Sequence, residues 1–569
     1  MTGTDTRAVE GGSDARDYDV VVVGAGFSGL YLLHRLRDEI GLSVKVIEKA
    51  EDVGGTWYWN RYPGARCDSE SHIYCYSFDE EILNEWTWSQ RYPEQPEVLE
   101  YLRFVAEGLD LRRDIDFGRE VTSATFDEGS GMWEVETDDG ARVTSRFLVT
   151  AVGCLSEPYV PEFEGIDSFE GESYHTGRWP HDPVDFEGKH VGVVGTGATG
   201  IQVIPEVAKE AGHLTVFQRT PNYAVPARNR PLGEDDWEEI QRHYDEILAE
   251  AHDSSGGMPF EPMRDTAADL SMEEMEEMLE PRWKEGGMRF RGAFEDLVTN
   301  PETNEMVSEY LRNRIREAVD DPELAEKLVP TDHYYGTKRP PLHTDYYGTF
   351  NRDDVSLVDV RAAPIERVTP DGIRTTEAAY ELDIIVYATG FDAMTGTLLR
   401  MDIRGRDGVT LSETWADGPR TYLGLAVHGF PNLFTITGPQ SPSVLSNMPV
   451  SIEHHVEWVS DAIEYLLSRD VGVIEPTAEA EDAWTEHNRL VAEETLYTTA
   501  DSWYMNENVP DKPTVFTPYV GGVDTYHDTI LEVAEKGYEG FELVDSVRDL
   551  GRGSGEPELS VMGEELPTR

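Results

Sequence analysis

The run Tyr18-Asp19-Val20-Val21-Val22-Val23-Gly24-Ala25-Gly26-Phe27-Ser28-Gly29 decides how this chain folds. Tyr18–Val23 is β-branched and does not alternate with polar residues, the pattern of a parallel strand covered on both faces. A G-x-G-x-x-G loop follows, and Leu30, Leu33 and Leu36 continue at helical spacing. Residues 43–48 then read as a second strand ending in Glu48. Strand, glycine loop, helix, strand and acid come in the order a dinucleotide-binding unit requires. The glycines let a pyrophosphate approach the helix N-terminus, and a carboxylate at the end of the second strand accepts hydrogen bonds from ribose hydroxyls.

The unit recurs. Residues 190–194 are again strand-like, Gly195-Thr196-Gly197-Ala198-Thr199-Gly200 is again the loop, and residues 214–217 are again the second strand. Glu48 stands 24 residues after Gly24, and the same offset from Gly195 falls on Arg219, followed by Thr220. A carboxylate suits free ribose hydroxyls, whereas a guanidinium suits a 2′-phosphate. The first loop therefore fits FAD, and the second fits NADPH rather than NADH. The expected fold class is α/β, with two Rossmann-like dinucleotide-binding domains.

Length and charge set outer bounds. The chain has 569 residues, enough for two or more domains with large cores. Its 48 basic and 111 acidic residues give a formal charge of −63, and only nine of the basic residues are lysine. Aromatics at 10% and hydrophobics at 39% argue for a packed protein despite this acidity. The acids are spread along the chain, as on a surface suited to concentrated salt, where a Debye length of ~3 Å screens like-charge repulsion. The sign argues against nucleic acids and anionic membranes as partners. Residues 1–17 show no signal peptide, and the apolar run 20–33 is too short and glycine-broken to span a bilayer. Cys67, Cys75 and Cys154 make no C-x-x-C pair and no metal spacing. A cytoplasmic enzyme without disulfides or metal is the expectation.

The rest divides by texture. Residues 54–68, Gly-Gly-Thr-Trp-Tyr-Trp-Asn-Arg-Tyr-Pro-Gly-Ala-Arg-Cys-Asp, are dense in glycine and aromatics, which suits the flat apolar walls an isoalloxazine ring needs. Residues 119–150 read as a small antiparallel piece with turns at 128–131 and 138–140, after which 147–153 forms a buried strand. The stretch 169–180, Phe-Glu-Gly-Glu-Ser-Tyr-His-Thr-Gly-Arg-Trp-Pro, reads poorly as helix or regular strand. From 221 to 335 the chain is rich in Glu, Met and Arg, with helix-like runs at 235–252, 272–279 and 304–318. This reads as a helical insertion with a capping role. Lys338-Arg339-Pro340-Pro341 is a rigid basic loop, and 382–392 reads as a buried strand carrying the chain back to the FAD domain. The expected division is a flexible arm (1–17), the first part of the FAD domain (18–155), a linker with the first part of the NADPH domain (156–220), the insertion (221–335), the second part of the NADPH domain (336–385), the second part of the FAD domain (386–547) and an acidic tail (548–569).

Two long motifs give the reading a family. F-x-G-x-x-x-H-x-x-x-W-P is met from Phe169 to Pro180, and [A/G]-G-x-W-x-x-x-x-[F/Y]-P-[G/M]-x-x-x-D is met from Gly54 to Asp68. With both loops in order, the sequence resembles the Baeyer–Villiger monooxygenases, class B flavoproteins, over residues 18–545. The resemblance implies an NADPH- and O2-dependent enzyme that converts a small ketone to an ester or lactone through a C4a-peroxyflavin. It implies FAD contacts from Gly24, Gly26, Gly29, Glu48, Thr56, Trp57, Tyr58, Trp59, Arg66, Cys67, Asp68, Tyr74, Val121 and Met448. NADPH contacts are implied for Gly195, Thr196, Gly197, Ala198, Thr199, Gly200, Arg219, Thr220, Lys338, Arg339 and Trp503. Arg339 is implied as the catalytic arginine with Asp68 as its partner, and His175 as a residue coupling the domains. A monomer or weak homo-oligomer is expected. Two departures stand out: His343, where many relatives carry an acid, and Met505-Asn506-Glu507-Asn508 after Ser502-Trp503-Tyr504. Rival readings are an N- or S-oxygenating flavin monooxygenase and an NADPH oxidase or flavin redox sensor. The latter needs no Arg339–Asp68 pair.

Overall fold

The structure is a computed structural model, and it describes residues 16–260 and 262–550. The expected arm and tail lie outside the described residues, apart from 16–17 and 548–550. Asp17 is tied down: its carboxylate accepts hydrogen bonds from Thr144 N at 2.9 Å and Thr144 Oγ1 at 3.0 Å.

The first sheet grows from the opening stretch. Strands β1 (Tyr18–Val23), β2 (Val44–Glu48), β3 (Ile115–Phe117), β4 (Val121–Asp127), β5 (Met132–Thr137) and β6 (Arg142–Thr150) enter it in turn. β1 lies between β2 and β6, parallel to both, with Val20 opposite Val44 on one side and Phe147 on the other. Val20, Val21 and Val22 are wholly buried, as the unbroken β-branched run requires. β6 serves two neighbours in succession. Its first half pairs antiparallel with β5, and its second half pairs parallel with β1 and with Leu433–Thr435.

The second sheet contains β7 (Glu172–His175), β8 (His190–Val194), β9 (His213–Gln218), Val355–Asp359 and Ile384–Tyr387. All its pairings are parallel, in the order 355–359, β9, β8, 384–387, β7. Two expectations are corrected here. The stretch 169–180 does hold a regular strand, β7. It lies at the sheet edge with Glu172 and Ser173 exposed, so no apolar pattern marked it. The strand 384–387 belongs to the second sheet, so a boundary at 385/386 cuts through it. A strand buried on both faces reads the same in either sheet, and only the pairing with Val191–Val194 distinguishes them. The chain crosses back after it. Residues 154–159 and 390–394, the two connections, run side by side: Tyr159 N donates to Gly390 O at 2.9 Å, Asp392 N to Glu157 O at 2.8 Å and Met394 N to Cys154 O at 2.8 Å.

Between β9 and residue 355 lie helices Glu234–Arg242, Tyr244–His252, Met272–Glu285, Pro301–Ala318 and Pro322–Leu328. Their starts follow local rules. Ser271 caps its helix in a reciprocal box with Glu274, and Asn300 accepts from Glu302 N ahead of Pro301. These helices enclose a core of their own around Met275, Leu279, Phe290 and Leu311. Among the described residues no helix is long and apolar enough to cross a membrane.

Candidate active site

Each glycine loop turns its sheet's first strand into a helix, and the spacing has a steric cause. Gly24 has φ +105° and Gly195 φ +110°, conformations that L side chains rarely adopt. A Cβ on Gly29 would come within 1.9 Å of Gly24 O, and one on Gly200 within 2.3 Å of Gly195 O. These third glycines therefore let helix and strand pack and do not face a ligand. The middle glycines do face open space: a Cβ on Gly197 would meet nothing within 4 Å, and one on Gly26 only the backbone of Gly55, from 3.4 Å. The helices that follow, Phe27–His34 and Ala198–Glu210, have no side-chain cap and no acid in the first turn. Both present uncompensated N–H groups to that space in a chain otherwise crowded with carboxylates. The two loops thus fit dinucleotide phosphates.

The first loop opens into a cleft of about 460 Å³ that runs from Gly24 and Gly26 past Glu48 and Thr56 to Asp68. Glu48 is 5% exposed, and its oxygens accept from Ala25 N at 2.6 Å and Ala50 N at 2.7 Å. Burial pushes its carboxyl above the usual range against those two amides. A carboxylate has further lone pairs, so a ribose can still be held. Trp57, Trp59, Arg66, Cys67, Tyr74, Val121 and Met448 also line the cleft. Trp57 Nε1 donates to Tyr74 OH at 3.2 Å, which fixes both rings. Tyr58 is a correction: it is buried against Trp59 and His181 and does not line the cleft.

At the far end of the cleft Arg339 meets Asp68. Its Nη2 lies 2.7 and 2.9 Å from the two carboxylate oxygens and its Nε 3.2 Å from one of them. Its Nη1 donates to Val444 O at 2.9 Å. The side chains are 28% and 19% exposed. Asp68 raises the guanidinium further above its ordinary value, outweighing burial, so Arg339 remains a cation. Cys67, next to Asp68, is pushed well up by burial and stays a thiol.

The second loop has its own cluster. Thr196 Oγ1 donates to Thr220 O at 2.9 Å, joining the loop to the end of β9. Arg219 is exposed and close enough to Lys338 to lower the latter's pKa, although burial is the larger cause. Lys338 Nζ donates to Asp501 O at 2.5 Å. Neither cation has a carboxylate ion-pair partner among the described residues. Ala198 and Thr199 reach the wall of the first cleft, so the two loops address one continuous space. Trp503 packs against Tyr504 with the rings tilted by 46° and 4.3 Å between centroids, in the apolar group that also holds Val444 and Met448.

Several participants have no signature in the sequence reading. Val444 acts through its carbonyl, which no side-chain pattern reveals. Arg178 lies over the Trp59 ring at 5.0 Å, inside the motif 169–180. Arg361 donates to Thr220 Oγ1 at 2.8 Å and pairs with Asp332 at 2.5 Å, adding a third cation beside Arg219 and Lys338. His175 stands where the two connections cross. Its Nδ1 accepts from Gly177 N at 3.0 Å and its Nε2 lies 3.3 Å from Thr389 Oγ1. Burial lowers its pKa to about 4, so it is neutral near pH 7. His343, the departure near Lys338, accepts from Tyr346 N at 3.3 Å, an acceptor role that an acid would also fill.

Residues 17–230 match the flavin-binding monooxygenase-like family. A Baeyer-Villiger monooxygenase of Pseudooceanicola batsensis is 46% identical over 92% of this chain and 95% of its own length. The chain belongs to the Baeyer–Villiger monooxygenases. A solved structure of an oxidized steroid monooxygenase bound to NADP is similar to this monooxygenase, with a TM-score of 0.88 and 52% identity over 93% of this chain and 99% of that one. A structure titled as OTEMO in complex with FAD and NADP gives 0.90 and 43% over 93% and 100%. A phenazine N-monooxygenase of Lysobacter antibioticus is 43% identical over 93% and 98%. The monooxygenase is therefore an FAD- and NADP-dependent flavoprotein by family, and similar proteins are named as cyclohexanone, acetone and phenazine N-monooxygenases.

Proposed function

We propose that the enzyme uses NADPH and O2 to insert one oxygen beside a ketone carbonyl, giving an ester or lactone. The observation that carries this is the Arg339–Asp68 pair at the end of the cleft, held by three N–H···O contacts and the Val444 carbonyl. FAD, when bound, supplies the ring that takes hydride from NADPH and activates dioxygen. Arg339 is a permanent cation on the wall of the cleft that would hold FAD, so it would favour an oxygen nucleophile that is still anionic when it meets the carbonyl. It also stabilises the negative charge that passes to the carbonyl oxygen. Asp68 fixes the guanidinium plane and Val444 anchors its far side, so the charge is oriented before reaction. Trp57 and Trp59 exclude water from one wall. Arg219 and Lys338 would hold the 2′-phosphate of NADPH, with Arg361 behind them. The first sheet would carry FAD and the second NADPH, with His175 positioning the connections between them.

The test is product formation. Protein in molar salt with FAD and NADPH receives phenylacetone, cyclohexanone, a long-chain 2-ketone and a thioether, followed by gas chromatography with hydrogen peroxide assayed in parallel. An ester or lactone supports the reading. NADPH consumption with hydrogen peroxide as the only product refutes it. A second reading, oxygenation of nitrogen or sulfur, is favoured by the similarity to the N-oxygenating relative. Sulfoxide without ester would select it.

A further inference from the structure

The turn Met288–Ala293 of the helical insertion places two arginines on opposite sides. Arg289 is paired with Glu70 at 3.2 Å and Glu285 at 3.3 Å. The nearby Lys284 and Arg282 also have acids, Glu280 at 3.3 Å and Glu285 at 3.8 Å. Arg291 has no carboxylate partner among the described residues. Its Nη2 donates to Tyr497 OH, and Tyr335 and Tyr504 lie near its charged end. It lies close enough to Arg339 for the two charges to repel.

This surrounding is built to last. Tyr335 is pinned by Asn304, which donates to its carbonyl at 2.9 Å and accepts from its N–H at 3.0 Å. Leu496 N donates to Val298 O at 2.7 Å, tying the 496–499 turn to the insertion. Tyr497 packs edge-on against Tyr504, 5.7 Å between centroids. Tyr497, Tyr504, Val444 and Met448 share one apolar group, and Arg339 bonds the Val444 carbonyl. Arg291 thus reaches the surroundings of Arg339 from the insertion side, through Tyr497, Tyr504 and Val444.

Charge counting makes the arrangement unusual. Asp68 neutralises Arg339, which leaves Arg291 as a partly buried cation without a carboxylate partner among the described residues, in a molecule of net charge −63. An arginine cannot discharge by losing a proton, and even a partly buried charge without a counter-ion carries a desolvation cost. The insertion is therefore more than the cap its composition suggests. We propose that Arg291 anchors a carboxylate carried by the ketone substrate, so that the preferred substrates are oxo acids. This rests on the ketone reading above. The reaction itself is unchanged: a methyl-ketone acid, O2, NADPH and a proton give the acetoxy acid, NADP⁺ and water.

The experiment uses a homologous series of methyl-ketone acids and their methyl esters, which differ in charge and little in shape. With the FAD-loaded enzyme, at least one chain length should show kcat/KM for the acid about tenfold or more above its methyl ester. Arg291→Met should remove that preference through KM of the acid, and Arg291→Lys should keep most of it. Retained FAD in both variants establishes that they fold. No acid preference at any length, equal losses for acid and ester in Arg291→Met, or a raised KM for NADPH instead would each overturn the proposal. Wild-type oxygenation of methyl esters without acid preference defeats this proposal alone. Absence of any ester product, with NADPH consumed, defeats the ketone reading beneath it.

Discussion

Asp68→Asn separates the charge of Arg339 from its orientation. The amide is nearly isosteric, so Arg339 stays where Val444 O holds it at 2.9 Å, and it stays charged. Two effects then oppose each other. Removing a negative charge about 4 Å from the guanidinium strengthens its field by up to ~4 kcal/mol at an effective dielectric of about 20. That figure shrinks because the side chains remain 28% and 19% exposed. Against it, Asp68 presently receives contacts of 2.7, 2.9 and 3.2 Å from Arg339. The amide offers one oxygen, and its NH2 faces guanidinium N–H groups. At least one charge-assisted bond is lost, about 1.5–3 kcal/mol, and the plane of the fork is released. Catalysis needs the charge in one place, and an extra unit of field does not compensate a cation that wanders. Ester formed per NADPH consumed should therefore fall about tenfold to hundredfold, with hydrogen peroxide rising to match. The assay is ester and peroxide yield per NADPH, with stopped-flow flavin reduction measured alongside. An ester yield equal to or above wild type would refute the orientation argument and leave Asp68 as a damper of charge.

Lys338→Ala and Arg219→Ala should each raise KM for NADPH about tenfold to hundredfold while changing KM for NADH little; equal effects on both coenzymes would remove them from a 2′-phosphate site. Gly200→Ala and Gly197→Ala should diverge. The first drives a methyl into Gly195 O at 2.3 Å and should unfold the second sheet's loop, whereas the second has nothing within 4 Å and should melt near wild type yet bind NADPH weakly. Equal melting temperatures in the two would count against this reading. Stability should fall as pH drops from 6.5. His175 and His343 have pKa values lowered to about 4, and His455 to about 3, all by burial. The unfolded chain takes up protons that the folded chain refuses, so each histidine removes about 2 kcal/mol by pH 5. A flat unfolding midpoint from pH 7 to 5 would contradict their burial as neutral rings. Raising NaCl from 0.1 to 2 M should raise the melting temperature by about 5 °C or more, because a charge of −63 repels itself less as the Debye length shortens; an equal gain from sucrose at matched osmolality would point to solvent exclusion instead.

What the sequence discloses about this enzyme is what depends on contiguous residues. Tyr18–Val23 with its glycines, the repeat at 190–200 and the offset to Glu48 and Arg219 are all local, and each settles a strand, a turn or a base-against-acid choice. The site becomes harder to read wherever a role depends on partners distant in the chain. Asp68 and Arg339 are 271 positions apart, one marked by a motif and the other by a basic loop, yet the third member of their group is a carbonyl at Val444. Strand 384–387 carries the right pattern, but its sheet is chosen by pairing with Val191–Val194. Charge compensation is the least readable of all. Arg289 and Arg291 stand two positions apart in one sequence, identical in type. One has two acids at hand, and the other has none among the described residues and lies within charge–charge range of Arg339. No composition or periodicity separates them. In a protein with more than two acids for every base, a partly buried cation without an acid beside it, as Arg291 and Lys338 both are among the described residues, calls for an anion from outside the chain. The survival of Arg291 beside Arg339 is most economically explained by a negative charge that arrives with the substrate.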